Sequence, residues 1–319
     1  MSAFTDIPVV DIGCLRNSDS EGLGVVAAQI NAALTEVGFM YVTNHGIDQR
    51  VFDDAIETAR AFFHLPEKQK TKSAINKNNR GYNGLGRALM DGAEHPDDKE
   101  FFQIGLDLPK DDPDVLAGQP LRGPNVWPEG QEVFRSALTK YYDEIGRVGS
   151  IVLRGVAVSL GLPQSFFTAR YAKPLQRTQV IYYPARTPVA DPNHFGVAPH
   201  SDYGCMTLLY QDQVGGLYVL NKEEEWIAAP PIESSLVLNV GDLLERWSNN
   251  RFVSTKHMVR NRSGQERMSI ATFYDPDYSA LVDPSELGLD RGEEALFDPV
   301  LAGDHIVGRI WRSIETGAN

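Results

Sequence analysis

The sequence contains little cysteine and no long apolar run. Cys14 and Cys205 are the only cysteines in 319 residues and lie far apart, so neither a disulfide framework nor a cysteine zinc site is predicted, and a reducing cytoplasm is expected. No stretch approaches the roughly 20 apolar residues that cross a bilayer, and residues 1–11 lack the basic start and apolar core of a signal peptide. We therefore expect a soluble, unprocessed cytoplasmic protein.

An excess of basic residues is also missing. The 30 Lys and Arg residues face 43 Asp and Glu residues, which leaves a formal charge of −13. This balance argues against binding to nucleic acid or to an anionic membrane surface. No internal repeat or charge block points to a repeat array or an interaction tail, so no obligate protein partner is expected. With 42% hydrophobic residues, the chain can fill a substantial globular core.

The first half of the sequence predicts a mixture of helices and strands. Residues 7–12 form a β-branched run that contains Pro8 and is typical of an edge strand. Three helices are predicted. The first spans 21–36, the second follows the capping residue Asp48, and the third spans 129–160. In the second and third helices, apolar residues recur at helical spacing and form one apolar face. Residues 39–43 are dense in strand formers. Between residues 71 and 128, frequent glycines and prolines predict long loops.

After residue 174 the pattern changes to short β runs separated by turn residues. Such regular short strands favour a sandwich or barrel. The predicted strands lie at 179–183, 206–210, 216–220, 235–240 and 268–274.

Two His-X-Asp triplets offer candidate metal ligands. His95-Pro96-Asp97 lies in a charged segment and is interpreted as a solvated loop. His200 and Asp202 stand directly before a β run, and alternation in an extended chain places residues i and i+2 on the same side. These two side chains can therefore reach one metal ion together.

His257, in a second strand-like stretch about 55 residues further along, is the best candidate for a third ligand. Two histidines and one carboxylate on one face form the facial triad of non-haem Fe(II) oxygenases, which leaves coordination positions open. A single histidine is more often a core or surface residue, so this assignment depends on the surrounding residues.

Ten residues after His257, Arg267 and Ser269 alternate within the apolar run RMSIATFY. A buried arginine is costly unless it meets an anion, and its planar fork suits a carboxylate. Pairing with a nearby acidic residue is the alternative, but next to a metal triad a bound dicarboxylate explains this arginine better.

These motifs together resemble the 2-oxoglutarate and Fe(II)-dependent dioxygenase superfamily, in its isopenicillin N synthase-like branch. The ligands, their spacing, their order and their flanks all agree over nearly the whole chain. The matching segments are IPVVDI from Ile7, GFMYVTNHGI from Gly38, AFFHLPEKQK from Ala61, RGYNGLG from Arg80, NVWP from Asn125, YYP from Tyr182, HSDYGCMTLLYQD from His200, NVGDLLERWSNNRFVSTKHMV from Asn239 and RMSIATFYDP from Arg267.

The resemblance implies an α+β fold with a predominantly β catalytic core, a double-stranded β-helix or jelly roll supported by the long helix. It further implies an N-terminal mixed region at 1–128, supporting helices at 129–174, the jelly-roll core at 175–280 and a C-terminal helical segment at 281–319, which act as one functional unit.

The resemblance also implies the cofactors and the activity. Fe(II) would be held by His200, Asp202 and His257, and 2-oxoglutarate by Arg267, Ser269 and Tyr183, although Ile181 replaces the asparagine that is common two residues before this tyrosine. With O₂, the enzyme would decarboxylate 2-oxoglutarate to succinate and CO₂ and oxidise a C–H bond of a small-molecule substrate. The candidates for the substrate side of the pocket are Tyr82, Asn83, Glu100, Phe102, Tyr203 and Tyr274. His45 is assigned a structural role.

Two alternatives remain open at this point. An oxidase of the same fold could use Arg267 and Ser269 to bind the carboxylate of its own substrate without consuming 2-oxoglutarate. A non-catalytic jelly-roll binding protein or a zinc hydrolase could use the same three metal ligands.

Overall fold

The computed structural model describes residues 3–16, 20–87, 95–185, 195–287 and 293–317. The α-helices of these residues are α1 (Gly13–Arg16), α2 (Ser20–Glu36), α3 (Gln49–Phe63), α4 (Glu67–Lys70), α5 (Pro113–Leu116), α6 (Glu132–Ser159), α7 (Asp242–Trp247) and α8 (Ala302–Gly317). Short 3₁₀ turns lie at Thr71–Ser73, Thr168–Tyr171 and Pro284–Leu287. None of these helices combines the length and apolar character needed to cross a membrane.

The strands belong to three sheets. They are β1 (Val9–Asp11), β2 (Phe39–Thr43), β3 (Gly81–Asn83), β4 (Glu100–Gly105), β5 (Arg177–Tyr183), β6 (Val197–His200), β7 (Met206–Gln211), β8 (Leu217–Leu220), β9 (Trp226–Ala228), β10 (Leu236–Val240), β11 (His257–Val259), β12 (Arg267–Tyr274), β13 (Leu281–Val282) and β14 (Val300–Leu301).

The helical layer forms because α6 is amphipathic. Its buried side chains, which include Phe134, Tyr141 and Val148, recur at helical spacing along one face. Helices α2 and α3 pack against α6. The carboxylate of Asp48 caps α3 by accepting a hydrogen bond from the backbone N–H of Arg50. The three long helices predicted from the sequence are confirmed, with bounds that differ by a few residues.

The large sheet contains eight strands in the order β1-β2-β10-β7-β12-β5-β4-β3. All neighbours are antiparallel except β1 and β2, which run parallel, and β1 lies at the sheet edge as predicted. One face of this sheet packs on the helices. The other face meets a four-stranded sheet with the order β6-β11-β8-β9, and a two-stranded sheet joins β13 to β14. The sandwich expected from the short β runs is therefore present.

Strand β4 was not predicted, because it lies inside the region interpreted as long loops. All six of its residues are buried, and it pairs with β5 and β3. Burial on both faces removes the alternation of polar and apolar residues that identifies a half-buried strand.

Candidate active site

Three side chains converge between the two sheets. His200 ends β6, Asp202 lies in the turn before β7, and His257 begins β11. Strands β6 and β11 are antiparallel, with His200 directly opposite His257. One ligand atom from each of the three residues lies within 4.8 Å of the others. The side chains of His200 and Asp202 thus meet that of the distant His257 at one point, as the sequence indicated.

Hydrogen bonds fix which nitrogen of each histidine faces this point. Nδ1–H of His200 donates to the carbonyl of Ala198 at 2.8 Å, and Nδ1–H of His257 donates to the carbonyl of Thr255 at 3.1 Å. Each Nε2 therefore carries the free lone pair. These Nε2 atoms lie 3.6 and 3.8 Å from Oδ1 of Asp202. Two imidazole lone pairs and one carboxylate oxygen directed at a common centre are a donor set that fits Fe(II).

The carboxylate of Asp202 is oriented by two further side chains. Its Oδ2 accepts hydrogen bonds from Oγ1 of Thr207 at 2.5 Å and from Nδ2 of Asn239 at 2.7 Å. Oδ1 is therefore the oxygen left for a metal. Thr207 and Asn239 were not identified from the sequence, because they lie on β7 and β10 and meet Asp202 only through the sheet register.

The turn that carries Asp202 also depends on a glycine. A Cβ atom at Gly241 would lie 2.3 Å from the carbonyl oxygen of Gly204 and 2.9 Å from that of Asp202. The absence of a side chain lets the start of α7 approach the metal-ligand turn, where the N–H of Asp242 donates to the carbonyl of Asp202 at 2.7 Å.

The electrostatics of the cluster favour a neutral His257 and an ionised Asp202. Burial and the neighbouring His200 lower the pKa of His257 to about 4. Burial opposes the ionisation of Asp202, but the two histidines and the amide of Asn239 outweigh burial and lower the pKa of this carboxyl group below its usual range. At neutral pH His257 and Asp202 are therefore in the protonation states that bind a metal.

Arg267 lies deeper in the same space and is fully buried. Its Nε–H donates to the carbonyl of Gly215, Nη1 donates to Oγ of Ser269 at 3.2 Å, and Nη2 donates to Oε1 of Gln211 at 3.3 Å. The guanidinium carbon lies 4.7 Å from the ring centre of Tyr183. Within the described part of the chain, no carboxylate forms an ion pair with this guanidinium, so the structure does not support the alternative of a nearby acidic partner.

A cleft of about 570 Å³, which includes space open to solvent, connects Arg267 to the metal ligands. Apart from the residues already described, Lys99 and Gln179 are the polar side chains that line it, and its remaining walls are apolar. The apolar lining residues are Phe39, Ile181, Val197, Leu209, Leu217, Val259, Ala271 and Phe273.

Lys99 is paired with Asp97, and this pair corrects one sequence interpretation. The His95-Pro96-Asp97 segment was expected to be a solvated loop, but Asp97 is only 1% exposed. Nζ of Lys99 lies 2.9 Å from Oδ2 of Asp97. Burial lowers the pKa of Lys99, but Asp97, Tyr183 and Asp202 together outweigh burial and leave this pKa raised, so the ammonium group is charged at neutral pH.

The structure places three substrate-pocket candidates away from the cleft. Tyr82, Glu100 and Phe102 are on the face of β3 and β4 that packs on the helices. Tyr82 and Phe102 belong to the core, and the Glu100 carboxylate forms an ion pair with Lys70 at 2.6 Å and accepts a hydrogen bond from Tyr82. The neighbouring residue Lys99 is the one that faces the cleft, so the sequence identified the right segment and the wrong face.

The other three candidates are also absent from the cleft lining. Tyr274 is on the helix-facing side of β12 and packs in the core, because it alternates out of phase with Arg267 and Ser269. The Tyr203 ring packs under the guanidinium of Arg309 in α8 at 4.8 Å. Asn83 ends β3 at the sheet edge, opposite Phe101.

His45 lies outside the metal cluster. Its Nδ1 accepts a hydrogen bond from the backbone N–H of Ile47 at 3.1 Å, and its ring packs edge-on against Phe52. Burial lowers the pKa of this histidine. These contacts agree with its assigned structural role in a turn.

Comparison with known proteins adds independent information to this geometry. The family model described as non-haem dioxygenase in morphine synthesis N-terminal matches residues 7–130, and that of the 2OG-Fe(II) oxygenase superfamily matches residues 174–276. The chain belongs to the 2OG-Fe(II) oxygenase superfamily.

Relatives and solved structures are similar to this protein along most of its length. The 2-oxoglutarate-dependent dioxygenase caaD of Aspergillus niger is 33% identical, with 86% of each chain covered. Homoarginine-6-hydroxylase 2-ODD-C23 of Glycine max is 32% identical over 96% of this chain and 97% of its own. The crystal structure of a Neurospora crassa protein is also similar, with a TM-score of 0.85 and 28% identity over 96% of this chain and 97% of that one. That protein was crystallised with thymine and alpha-KG, which is 2-oxoglutarate.

The oxygenase is therefore a non-haem Fe(II) enzyme. It couples oxidative decarboxylation of 2-oxoglutarate, which gives succinate and CO₂, to oxidation of a C–H bond in a small molecule. The predicted superfamily, the jelly-roll core and the cofactor set of Fe(II), 2-oxoglutarate and O₂ are confirmed.

Proposed function

We propose that His200, Asp202 and His257 are the Fe(II) ligands of this oxygenase. The observation that supports this assignment is the convergence of two Nε2 lone pairs and Oδ1 of Asp202, while every other polar atom of the three side chains is engaged by the protein. Three protein ligands on one face leave the opposite face for co-substrate and O₂.

The same proposal assigns Arg267 and Ser269 to the distal carboxylate of 2-oxoglutarate, with Tyr183 beside them. Arg267 is held by Gly215, Gln211 and the Tyr183 ring, so its fork is already oriented before an anion arrives. Pre-organisation of this kind lowers the entropic cost of binding. The cleft then leads from this anchor to the metal, which fits a co-substrate that spans both.

When bound, Fe(II) and 2-oxoglutarate supply the oxidising chemistry, and the protein selects the C–H bond by positioning the substrate. The apolar cleft walls exclude water from the reacting centre, and Lys99 and Gln179 provide the remaining polar contacts. We infer a small organic substrate that combines an apolar body with one or two polar groups. Thymine, which is bound to the related Neurospora crassa protein, and homoarginine, which names a relative's activity, are compounds for a first screen.

A turnover assay tests this proposal. We expect the Fe(II)-loaded protein to release succinate from 2-oxoglutarate in amounts that match O₂ uptake, with stimulation by the correct substrate. His200→Ala should abolish this turnover, because it removes one of three protein ligands. Oxygen uptake that does not require 2-oxoglutarate would instead favour an oxidase in which Arg267 binds the carboxylate of the substrate. Full turnover by His200→Ala would contradict the metal assignment.

We further propose that the chain acts as one functional unit. The proposed regions are 1–128, the supporting helices at 129–174, the core at 175–280 and the segment 281–319. The first and the third of them line one cleft. Lys99 comes from the first region, whereas the metal ligands come from the third. A cytoplasmic location is proposed from the two free cysteines.

A further inference from the structure

Strand β6, which carries His200, lies at the edge of the four-stranded sheet. Among the described strands, it pairs with β11 alone. The backbone on its other side can therefore bond with residues outside the sheet. Segment 97–98 takes this position: the N–H of Asp98 donates to the carbonyl of Phe195 at 3.0 Å, and Oδ1 of Asp97 accepts from the N–H of Ala198 at 3.0 Å.

Ala198 connects Asp97 to the metal ligand. Its N–H is held by Asp97, and its carbonyl oxygen accepts the Nδ1–H of His200 that fixes the ring orientation. A shift of this residue would therefore move the acceptor that directs Nε2 of His200 toward the metal. One residue, Ala198, therefore links the Asp97 carboxylate to His200.

The burial of the Asp97–Lys99 ion pair requires a reason. Asp97 is 1% exposed and Lys99 is 7% exposed. Replacing a buried ion pair with apolar residues of similar size is often neutral or stabilising, so stability alone does not account for it. The carboxylate gives β6 an acceptor that an apolar side chain cannot give, and Lys99 neutralises its charge.

We propose that Asp97 is a positioning residue for Fe(II) binding: its carboxylate holds Ala198 so that Ala198 can orient His200, and Lys99 is its buried counter-ion. This inference rests on the assignment of His200 as a metal ligand. Asp97 does not contact the metal, so its effect is on the geometry and affinity of the site.

Two double variants isolate the hydrogen-bond acceptor. Asp97→Asn with Lys99→Met removes both charges but keeps an oxygen at the position that accepts from Ala198. Asp97→Leu with Lys99→Met removes the charges and the acceptor while keeping the same branched arrangement of side-chain heavy atoms. Fe(II) affinity is measured anaerobically by titration, together with the visible charge-transfer band of the Fe(II)–2-oxoglutarate complex. If the leucine variant does not fold, Asp97→Ala with Lys99→Met replaces it.

We expect the leucine variant to bind Fe(II) about 10-fold more weakly, which is the lower end of the effect of outer-shell residues, and to shift the charge-transfer band. The asparagine variant carries the same Lys99→Met change and should bind Fe(II) about 10-fold more tightly than the leucine variant. It is also the reference for the charge-transfer band, because Lys99 lines the cleft. The matched control is Glu100→Gln with Lys70→Met, which removes a buried ion pair at the residue directly after Lys99, on the side that faces the helices, and should leave Fe(II) affinity unchanged.

Equal Fe(II) affinity in the leucine and asparagine variants would overturn the positioning role, and so would an equal loss in the Glu100 control. Failure of the metal assignment has a different signature. In that case His200→Ala would retain Fe(II) affinity. If instead the metal site is correct but Asp97 plays no part in it, His200→Ala loses Fe(II) affinity and the leucine variant does not.

Discussion

Replacement of Arg267 by lysine should weaken 2-oxoglutarate binding without affecting Fe(II) binding. Lysine keeps the positive charge but loses the planar fork that can bind both oxygens of a carboxylate. It also loses the contacts that hold the guanidinium to Gly215, Gln211 and the Tyr183 ring. The site is fully buried, so water cannot substitute for the missing donor.

The magnitude follows from the loss of one charge-assisted hydrogen bond, which contributes about 1.5–3 kcal/mol. With about 1.4 kcal/mol for each factor of ten, the Kd for 2-oxoglutarate should rise roughly 10-fold to 150-fold. Because Arg267 does not contact the metal ligands, the Kd for Fe(II) should remain at the wild-type value.

The assay is an anaerobic titration of the Fe(II)-loaded protein with 2-oxoglutarate, followed by its visible charge-transfer band. Arg80→Lys is the matched control, since Arg80 is also buried but donates to backbone carbonyls of Asn78, Asn79 and Leu121 outside the cleft. The reasoning is refuted if Arg267→Lys binds 2-oxoglutarate normally, or if Arg80→Lys weakens binding to the same extent.

Three further outcomes are expected. Asn239→Ala should weaken Fe(II) binding by about 10-fold or more, because it releases one of the two hydrogen bonds that orient the metal-binding carboxylate; an unchanged Fe(II) titration would contradict this. Gly196→Ala should weaken 2-oxoglutarate binding, because a Cβ would lie 2.9 Å from the ring of Tyr183, and overpacking of this kind costs about 1–3 kcal/mol. The anaerobic titration measures the affinity for 2-oxoglutarate, and a wild-type value would argue against a role for this ring. In the metal-free protein, His257 has a pKa lowered from 6.5 to about 4, so the unfolded chain binds a proton in this window while the folded chain does not. The free energy of unfolding should therefore fall by up to about 3 kcal/mol as the pH drops from 6.5 to 4, and urea unfolding of His257→Gln should lack this component.

The metal ligands could be predicted because their signal is local. His200 and Asp202 are two residues apart before a recognisable strand, and Arg267 and Ser269 repeat that spacing in an apolar run. The period of two in an extended chain converts these spacings directly into side chains on one face. The joining of His257 to this group is a matter of register between β6 and β11, which local sequence does not encode. The sequence offered His257 as the best candidate because of its strand-like surroundings, and the family motifs then supported that choice.

The six substrate-side candidates lie outside the cleft lining for the same physical reason that brings Arg267 and Ser269 to one face. Side chains alternate between the faces of a strand, so an error of one position moves a residue from the cleft to the core. Glu100 and Lys99 show this: the first pairs with Lys70 under the helices, and the second faces the cleft. Both faces of β4 are buried, so no hydrophobic pattern could identify its orientation.

Asp97 was missed because its burial is a tertiary effect. The local composition of its segment is charged and contains proline, which is typical of a solvated loop. Its side chain is covered only because residues 195–198, about 100 positions further along the chain, lie against it.

The two halves of the active site are built into strands of very different length. Arg267, the proposed anchor of the co-substrate, begins β12, which has eight residues and a hydrogen-bonded neighbour on each side. His200 and His257 belong to strands of four and three residues. Because local opening is easiest where few backbone hydrogen bonds must break, amide hydrogens of β6 and β11 should exchange with solvent faster than those of β12. With the proposed ligands, we expect iron to be lost by local opening of the small sheet while the strand that carries Arg267 stays folded, so that metal release would not require unfolding of the core.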